Sequence, residues 1–231
     1  MRSGPRCSRW IPRPRGDLSS PGESTSPVVF VVDDDVSVRE SLELLIRSAG
    51  WQPETFGSAE DFLARLPIEG PCCLVLDLSL PNLNGLDLQK RIAKTGMPIV
   101  FITGYGDVPT TVQAMKGGAV EFLTKPFADD VLLNAIEQAV ERSRSALANR
   151  AKLQALRDDH ALLTPREREI MALVTSGLLN KQIAMKLGIS EITVKHHRGQ
   201  VMRKMRVGSF ADLVKAATAL DVATSIVSQP W

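Results

Sequence analysis

The chain has 231 residues and a net charge of +2, with 44% hydrophobic and 23% charged residues. This composition is ordinary for a globular protein and excludes disorder over the whole length. Since no uncharged apolar run approaches about 18 residues, we expect neither a membrane-spanning helix nor a membrane partner.

Strand and helix patterns alternate over much of the chain. Residues 1–27 are rich in Pro, Gly, Ser and Arg and lack the apolar core of a secretory signal, so we interpret them as a disordered tail. The predicted strands that follow are Val28–Val32, Gln52–Phe56, Cys72–Leu76, Pro98–Ile102 and Ala119–Leu123. Helices are predicted between them, one ending before Gly50, others over Ala59–Leu66, Leu86–Ala93 and Thr110–Lys116, and a last one from Asp129. Residues 28–145 therefore predict an α/β domain, a doubly wound parallel sheet of five strands with helices on both faces.

The second half of the chain has no strand signals. No Gly or Pro occurs between Pro126 and Pro165, so residues 146–160 are expected to form a helical linker or a dimer coil. Four helices are predicted within residues 161–231, over Arg166–Thr175, Asn180–Leu187, from Ser190 to about Met205, and from Ser209 to about Ala219. Along the whole chain, helix caps are predicted at Asp35, Ser58, Thr164, Asn180, Ser190 and Ser209. The second and third of the four helices are joined through Gly188, which is typical of a small all-α helix-turn-helix domain.

Residues suited to chemistry follow the ends of the predicted strands. Asp33 and Asp34 follow the first strand, Asp77 the third, Thr103 the fourth and Lys125 the fifth. Because the carboxyl ends of parallel strands meet at one edge of a sheet, we expect these side chains to lie together. Clustered carboxylates repel one another unless a cation lies among them, and oxygen ligands suit Mg²⁺.

The sequence VVDDD … LVLDLSLPNLNG … VFITG … FLTKPF resembles the receiver domain of bacterial two-component response regulators, which has a flavodoxin-like fold. The stretch TGYGDVPTTVQAMKGGAVEFLTKPF is especially similar to the FixJ branch of that family. The resemblance implies that Asp77 accepts a phosphoryl group. It further implies Mg²⁺ ligation by Asp77, by Asp34 directly, by Asp33 through metal-bound water and by the backbone carbonyl of Ser79, with Thr103 and Lys125 holding the phosphoryl oxygens and Phe122 as the aromatic switch residue.

The C-terminal segment is basic. Residues 161–231 carry 10 Lys/Arg and 5 Asp/Glu, a net charge of +5, whereas residues 28–128 carry 8 and 13, a net charge of −5. Basic charge on a helix-turn-helix indicates DNA binding. With Val194 and Val201 facing inward, the third helix is expected to turn Lys195, His196, Arg198, Arg203 and Lys204 outward, with Thr193 near its start.

The string LTPREREIMALVTSGLLNKQIAMKLGISEITVKHHRGQVMRKM resembles the LuxR-type domain of FixJ/NarL regulators. By that resemblance Lys195 and His196 read bases, while Thr193, Lys181, His197 and Arg198 contact phosphates or support the helix. Gly199 offers no side chain at a position where some relatives have Lys.

These patterns predict a transcription regulator that is not an enzyme beyond promoting its own aspartyl phosphorylation and dephosphorylation. The implied partners are a sensor histidine kinase, double-stranded promoter DNA, RNA polymerase and a second copy of the chain in a phosphorylation-dependent homodimer. Three cysteines without disulfide or zinc spacing favour the cytoplasm.

Two other classes of protein remain as alternatives. A phosphatase with an aspartate nucleophile needs a second Asp two residues later, where this chain has Ser79. A DNA-binding protein with a degenerate receiver is disfavoured by the intact set of Asp34, Asp77, Thr103 and Lys125.

Overall fold

The computed structural model describes residues 26–220, and these begin with a five-stranded parallel sheet. The sheet order is β2-β1-β3-β4-β5, and all four strand pairs are parallel. The strands are β1 (Val28–Val32), β2 (Gln52–Phe56), β3 (Cys72–Asp77), β4 (Ile99–Thr103) and β5 (Glu121–Thr124). This confirms the predicted doubly wound sheet. Apart from Ser26 and Pro27, the predicted tail lies outside the described residues.

Nine helices follow or separate the strands within residues 26–220. They are α1 (Val36–Ser48), α2 (Ala59–Ala64), α3 (Gly85–Ile92), α4 (Val108–Lys116), α5 (Asp129–Ala161), α6 (Pro165–Thr175), α7 (Asn180–Leu187), α8 (Glu191–Lys204) and α9 (Phe210–Ala219). A 3-10 turn, Ala93–Thr95, extends α3. In this part of the chain, no helix combines the length and the apolar character needed to cross a membrane.

Side-chain caps begin most of these helices where the sequence predicts them. Asp35, Ser58, Ser190 and Ser209 each accept a backbone N–H from the first turn, and Thr164 and Glu167 form a capping box. The prediction for Asn180 was wrong. Asn180 is the first residue of α7, and its carboxamide oxygen accepts a hydrogen bond from Arg198 at 2.6 Å instead.

The bounds of three strands also differ from prediction. β3, β4 and β5 each end one residue later than expected, β4 begins one residue later and β5 begins two residues later. The late start of β5 has its reason in the turn after α4: Gly118 has φ of 92°, and the Ala119 N–H still bonds to the Ala114 carbonyl of that helix. The chain therefore joins the sheet only at Val120, whose N–H bonds to Ile99.

The sheet separates two apolar layers. Alternate residues of β1, such as Phe30 and Val32, pack with α2, α3 and α4, while Val29 and Val31 pack with α1 and α5. All of β3 and β4 is buried, as the apolar runs predict for strands covered on both faces. This burial fixes the strands and hence the positions of the residues that follow them.

Helix α5 is one continuous helix of 33 residues and runs through residues 146–160, the predicted linker. Its first part is buried against the sheet as far as Ser143. Near its end, Leu156 packs against a third apolar cluster built from α6 to α9, and Asp159 pairs with Arg206 at 3.2 Å. The last turns of α5 thus share the core of the C-terminal helices.

A C-terminal fragment that starts at residue 153 should be more stable than one that starts at the predicted boundary, residue 161. The longer fragment keeps Leu156 on its cluster, which contributes about 1 kcal/mol or more, whereas the exposed Arg206 ion pair adds little. Urea unfolding of both fragments measures the difference. In the longer fragment, Leu156→Ala should remove this difference in stability, whereas Arg157→Ala, at an exposed position, should not. Equal stability of the two unsubstituted fragments would contradict the expectation.

Candidate functional site

Three carboxylates meet at the edge of the sheet where β1 and β3 end. The register pairs Val32 with Leu76, so Asp33 and the last residue of β3, Asp77, lie side by side. One carboxylate oxygen from each of Asp33, Asp34 and Asp77 lies within 4.8 Å of the other two. Asp33 and Asp77 are buried, whereas Asp34 is exposed. The sequence prediction that these residues lie together is confirmed.

The ammonium group of Lys125 completes this cluster. Its Nζ lies 2.7 Å from Asp33 Oδ2 and 3.5 Å from Asp77 Oδ2. The backbone N–H of Lys125 donates to the Thr103 carbonyl at 2.7 Å, which fixes the residue just beyond β5. One positive charge facing three negative ones leaves a net negative site that attracts cations.

Burial and charge act on the acid–base properties of this cluster. Burial raises the pKa of the Asp77 carboxyl above its ordinary value, and the attraction of Lys125 offsets this only in part. Burial alone would lower the pKa of Lys125, but its contacts with Asp33 and Asp77 outweigh that effect and raise it. Lys125 is therefore held as a cation.

The carboxylates offer the oxygen ligands that Mg²⁺ prefers, with Asp34 open to water. Ser79 lies two residues after Asp77, and its N–H donates to Asp77 Oδ1 at 3.4 Å.

Glycine is required at Gly85, because a Cβ there would lie 2.7 Å from the Asp77 carbonyl oxygen. Helix α3 can therefore begin directly beside the end of β3.

Arg39 is a contributor that sequence reasoning missed. Its Nη1 donates to the backbone carbonyls of Asp33 at 2.6 Å and Asp34 at 2.9 Å. The signal was available in the sequence, since Arg39 lies in the first turns of the helix that follows the acidic pair. By holding both carbonyls, this arginine fixes the turn that presents two of the three carboxylates.

Thr103 and Phe122 lie beside this site. The buried Thr103 hydroxyl donates to the Tyr105 carbonyl and accepts the Tyr105 N–H, both at 3.1 Å. The half-buried Phe122 ring packs 6.1 Å from that of Phe101. A Cβ at Gly106 would lie 3.3 Å from the Phe122 ring. The loop between β4 and α4 is thus held by the Thr103 hydroxyl, and the lack of a side chain at Gly106 leaves room for the Phe122 ring.

The predicted DNA-binding residues differ in how freely they face solvent. Lys195 and His196 on α8 are exposed, as is Lys181 in the first turn of α7, whereas Thr193 and His197 are half-buried. Arg203 is exposed and bonds to Gln200 of the same helix. These positions are compatible with a surface for nucleic acid.

Two further cations of α8 have partners within the protein. Arg198 donates to Asn180 and lies 5.9 Å above the Phe210 ring, so it joins α7, α8 and α9. Lys204 does not face outward as predicted, because it pairs with the buried Glu167 at 2.6 Å. That contact offsets the cost of burying the carboxylate.

Comparison with known sequence families gives two matches. Residues 29–137 match the response regulator receiver domain, and residues 161–217 match the bacterial regulatory proteins of the luxR family. Nodulation protein W of Bradyrhizobium diazoefficiens is 46% identical over 217 residues, covering 93% of this chain and 96% of that protein. Transcriptional regulatory protein FixJ of the same species is 41% identical, covering 84% and 96%.

Solved structures agree with these matches. The response regulator StyR is similar with a TM-score of 0.75 and 47% identity, over 84% of this chain and 99% of that one. Full-length FixJ from B. japonicum has a TM-score of 0.51 and 41% identity, over 84% and 97%. In both, the similarity covers nearly the whole of the known chain.

Arg39→Met should weaken divalent cation binding about tenfold, a cost typical of losing a group that orients metal ligands. The variant keeps the apolar stem but loses both hydrogen bonds to the Asp33 and Asp34 carbonyls. Titration with Mn²⁺, followed by the electron paramagnetic resonance of the free ion, measures the affinity. Arg47→Met is the matched control, since Arg47 lies on the same helix and pairs only with Glu43 at the surface. Equal affinities for the two variants would show that Arg39 has no such role.

Proposed function

The chain belongs to the response regulators that join a receiver domain to a LuxR-type DNA-binding domain, and on this premise we propose that a phosphoryl group on Asp77 controls its binding to promoter DNA. The observation that carries the proposal is the meeting of Asp33, Asp34 and Asp77 with the ammonium group of Lys125. This cluster combines a nucleophile, cation ligands and a fixed positive charge.

In the proposed reaction, a carboxylate oxygen of Asp77 attacks the phosphorus atom of the donor. A new P–O bond forms while the bond from phosphorus to the donor breaks. A sensor histidine kinase supplies the phosphoryl group, as the family resemblance implies. Lys125 favours the ionised form of Asp77 and pairs with an incoming phosphoryl oxygen.

The residues of the site fit Mg²⁺, which when bound would neutralise charge on the transferring group. Asp33, Asp34, Asp77 and the Ser79 carbonyl are the proposed ligands. Arg39 holds the backbone of two of them. The same residues would serve the later hydrolysis of the aspartyl phosphate. In both reactions the group that changes is the side chain of Asp77 itself, and no other substrate is proposed.

At neutral pH the phosphoryl group of an aspartyl phosphate carries about 1.5 to 2 negative charges in place of the single charge of the free carboxylate, so the site gains up to about one negative charge. We infer that the Thr103 hydroxyl then leaves the Tyr105 carbonyl for a phosphoryl oxygen. Because Gly106 of the same loop faces the Phe122 ring closely enough that a Cβ there would crowd it, that ring repacks when the loop moves. The change at Asp77 thus reaches the start of α4.

We propose that the chain forms a homodimer in response to this change. Helix α4 exposes Val108, Val112 and Met115, which at spacings of four and three residues form one apolar stripe. A second copy covering that stripe would couple phosphorylation to the pairing of two DNA-binding domains. A coupling of about 1–3 kcal/mol, or 5–150-fold in affinity, is sufficient.

The proposed DNA surface is α8 with the start of α7. Lys195 and His196 reach base edges in the major groove. Lys181 binds phosphate at the amino end of α7, where backbone N–H groups also favour an anion. Thr193, His197, Arg198 and Arg203 contact phosphates or support the helix. The protein acts in the cytoplasm, where promoter DNA and RNA polymerase are its partners.

Asp77→Asn should abolish labelling by acetyl phosphate, because the amide is not a nucleophile for this reaction. Labelling of the wild-type chain should also require Mg²⁺ and disappear in excess chelator. Phosphate-affinity electrophoresis measures both effects. Asp87→Asn, which changes an exposed aspartate of α3 paired with Lys90, should label normally. Full labelling of the Asp77→Asn variant would refute the assignment.

Lys195→Ala should cost about 1–3 kcal/mol on the preferred DNA site and much less on random DNA. Lys181→Ala should weaken both by similar factors, because a phosphate contact carries no sequence information. Fluorescence anisotropy at several salt concentrations measures the affinities. Lys186→Ala, at another exposed position of α7, is the control for loss of charge. Proportional losses of specific and random binding by the Lys195 and Lys181 variants would contradict these roles.

A further inference from the structure

Ile192 has no evident place in the protein's own packing. It is the second residue of α8, and 82% of it is exposed, more than any other large hydrophobic residue described in residues 161–220. A β-branched side chain on a helix loses rotamer freedom. Here that cost is not offset by burial within the chain.

The phase of α8 sets the direction of this side chain. Val194 and Val201 are buried and mark the inward face. Ile192 precedes Val194 by two residues and His196 follows it by two, so each is turned about 200° from it, in opposite senses. Ile192 and His196 are therefore neighbours on the face directly opposite the core.

The surroundings of Ile192 favour DNA over a protein partner. Its outward neighbours on the helix are His196 and Lys195, both exposed. The next outward position, Gly199, has nothing within 4 Å of where a Cβ would lie. The outward face of α8 thus presents one apolar side chain, that of Ile192, followed by Lys195, His196 and the empty position at Gly199. It is not a continuous apolar patch.

We propose that Ile192 contacts the C5-methyl group of a thymine in the major groove and so helps to set the sequence preference. The first residues of such a helix reach deepest into the groove. Among the base edges exposed there, thymine alone presents a methyl group. This inference rests on the proposed function, since it requires α8 to be the helix that enters DNA.

Deoxyuridine tests the contact, because it lacks only that methyl group. A preferred site is first selected from random DNA with the full-length chain in the presence of acetyl phosphate. Each thymine in one half-site is then replaced singly by deoxyuridine. One replacement should weaken binding of the wild-type chain about three- to fivefold, the value of burying one methyl group.

The same replacement should leave the affinity of Ile192→Ala unchanged, because the partner of the methyl group is already absent. Since Ile192 is exposed, its replacement should not disturb the fold. Met185→Ala is the matched control: Met185 is 78% exposed on α7, and this variant should keep the full sensitivity to deoxyuridine.

Three results would overturn the inference. In the first, no single replacement of a thymine by deoxyuridine weakens binding of the wild-type chain. In the second, Ile192→Ala loses as much affinity as the wild-type chain when the thymine is replaced. Alternatively, Ile192→Ala could bind all sites normally and fail only in transcription with purified RNA polymerase, which would assign the side chain to a protein contact. A chain that binds no DNA would instead overturn the proposed function, and this inference with it.

Discussion

The ammonium group of Lys125 reaches from the end of the edge strand β5 to carboxylates at the ends of β1 and β3. Without a cation, Asp33 and Asp77 would be two buried negative charges side by side, which repel each other. The lysine contacts both carboxylates, within a sheet whose central strands are almost entirely apolar. The geometry of the whole site depends on this ion pair.

The same lysine lies at a junction in the chain. Its backbone N–H is bound to the last residue of β4, Thr103, whose hydroxyl holds the loop leading to α4. Four residues after Lys125, helix α5 begins and continues to the C-terminal helices. A change in charge at Asp77 therefore acts on Lys125, which is connected both to the loop that leads to α4 and to helix α5.

The features that the sequence predicts well are those encoded by local patterns. Buried strands appear as apolar runs, and caps such as Ser58 and Ser190 appear as short polar residues before helices. The clustering of Asp33, Asp77 and Lys125 follows from parallel strand ends alone. The resemblance to a family then supplies roles that patterns cannot.

Predictions failed where a contact joins distant parts of the chain. Asn180 has the side chain of a cap, but Arg198, 18 residues away, takes its oxygen. Lys204 has the sequence position of an outward cation, but its ammonium group pairs with the buried carboxylate of Glu167, 37 residues earlier in the chain. Arg39 was missed for another reason: its partners, 5 and 6 residues earlier, are backbone carbonyls, so its place after the acidic pair was the one sequence signal for its role.

The continuity of α5 has a consequence for building hybrid regulators from this chain. Residues 144–152 are exposed, and although Ala146, Leu147 and Arg150 line a cavity with the segments around Leu66 and Met97, the continuous helix is the main element that sets the angle across this stretch. Each inserted residue would turn everything beyond it by about 100° and move it by about 1.5 Å. Fusions to other sensory domains should therefore be joined here in steps of seven residues, close to two full turns, so that the downstream helices keep their original orientation.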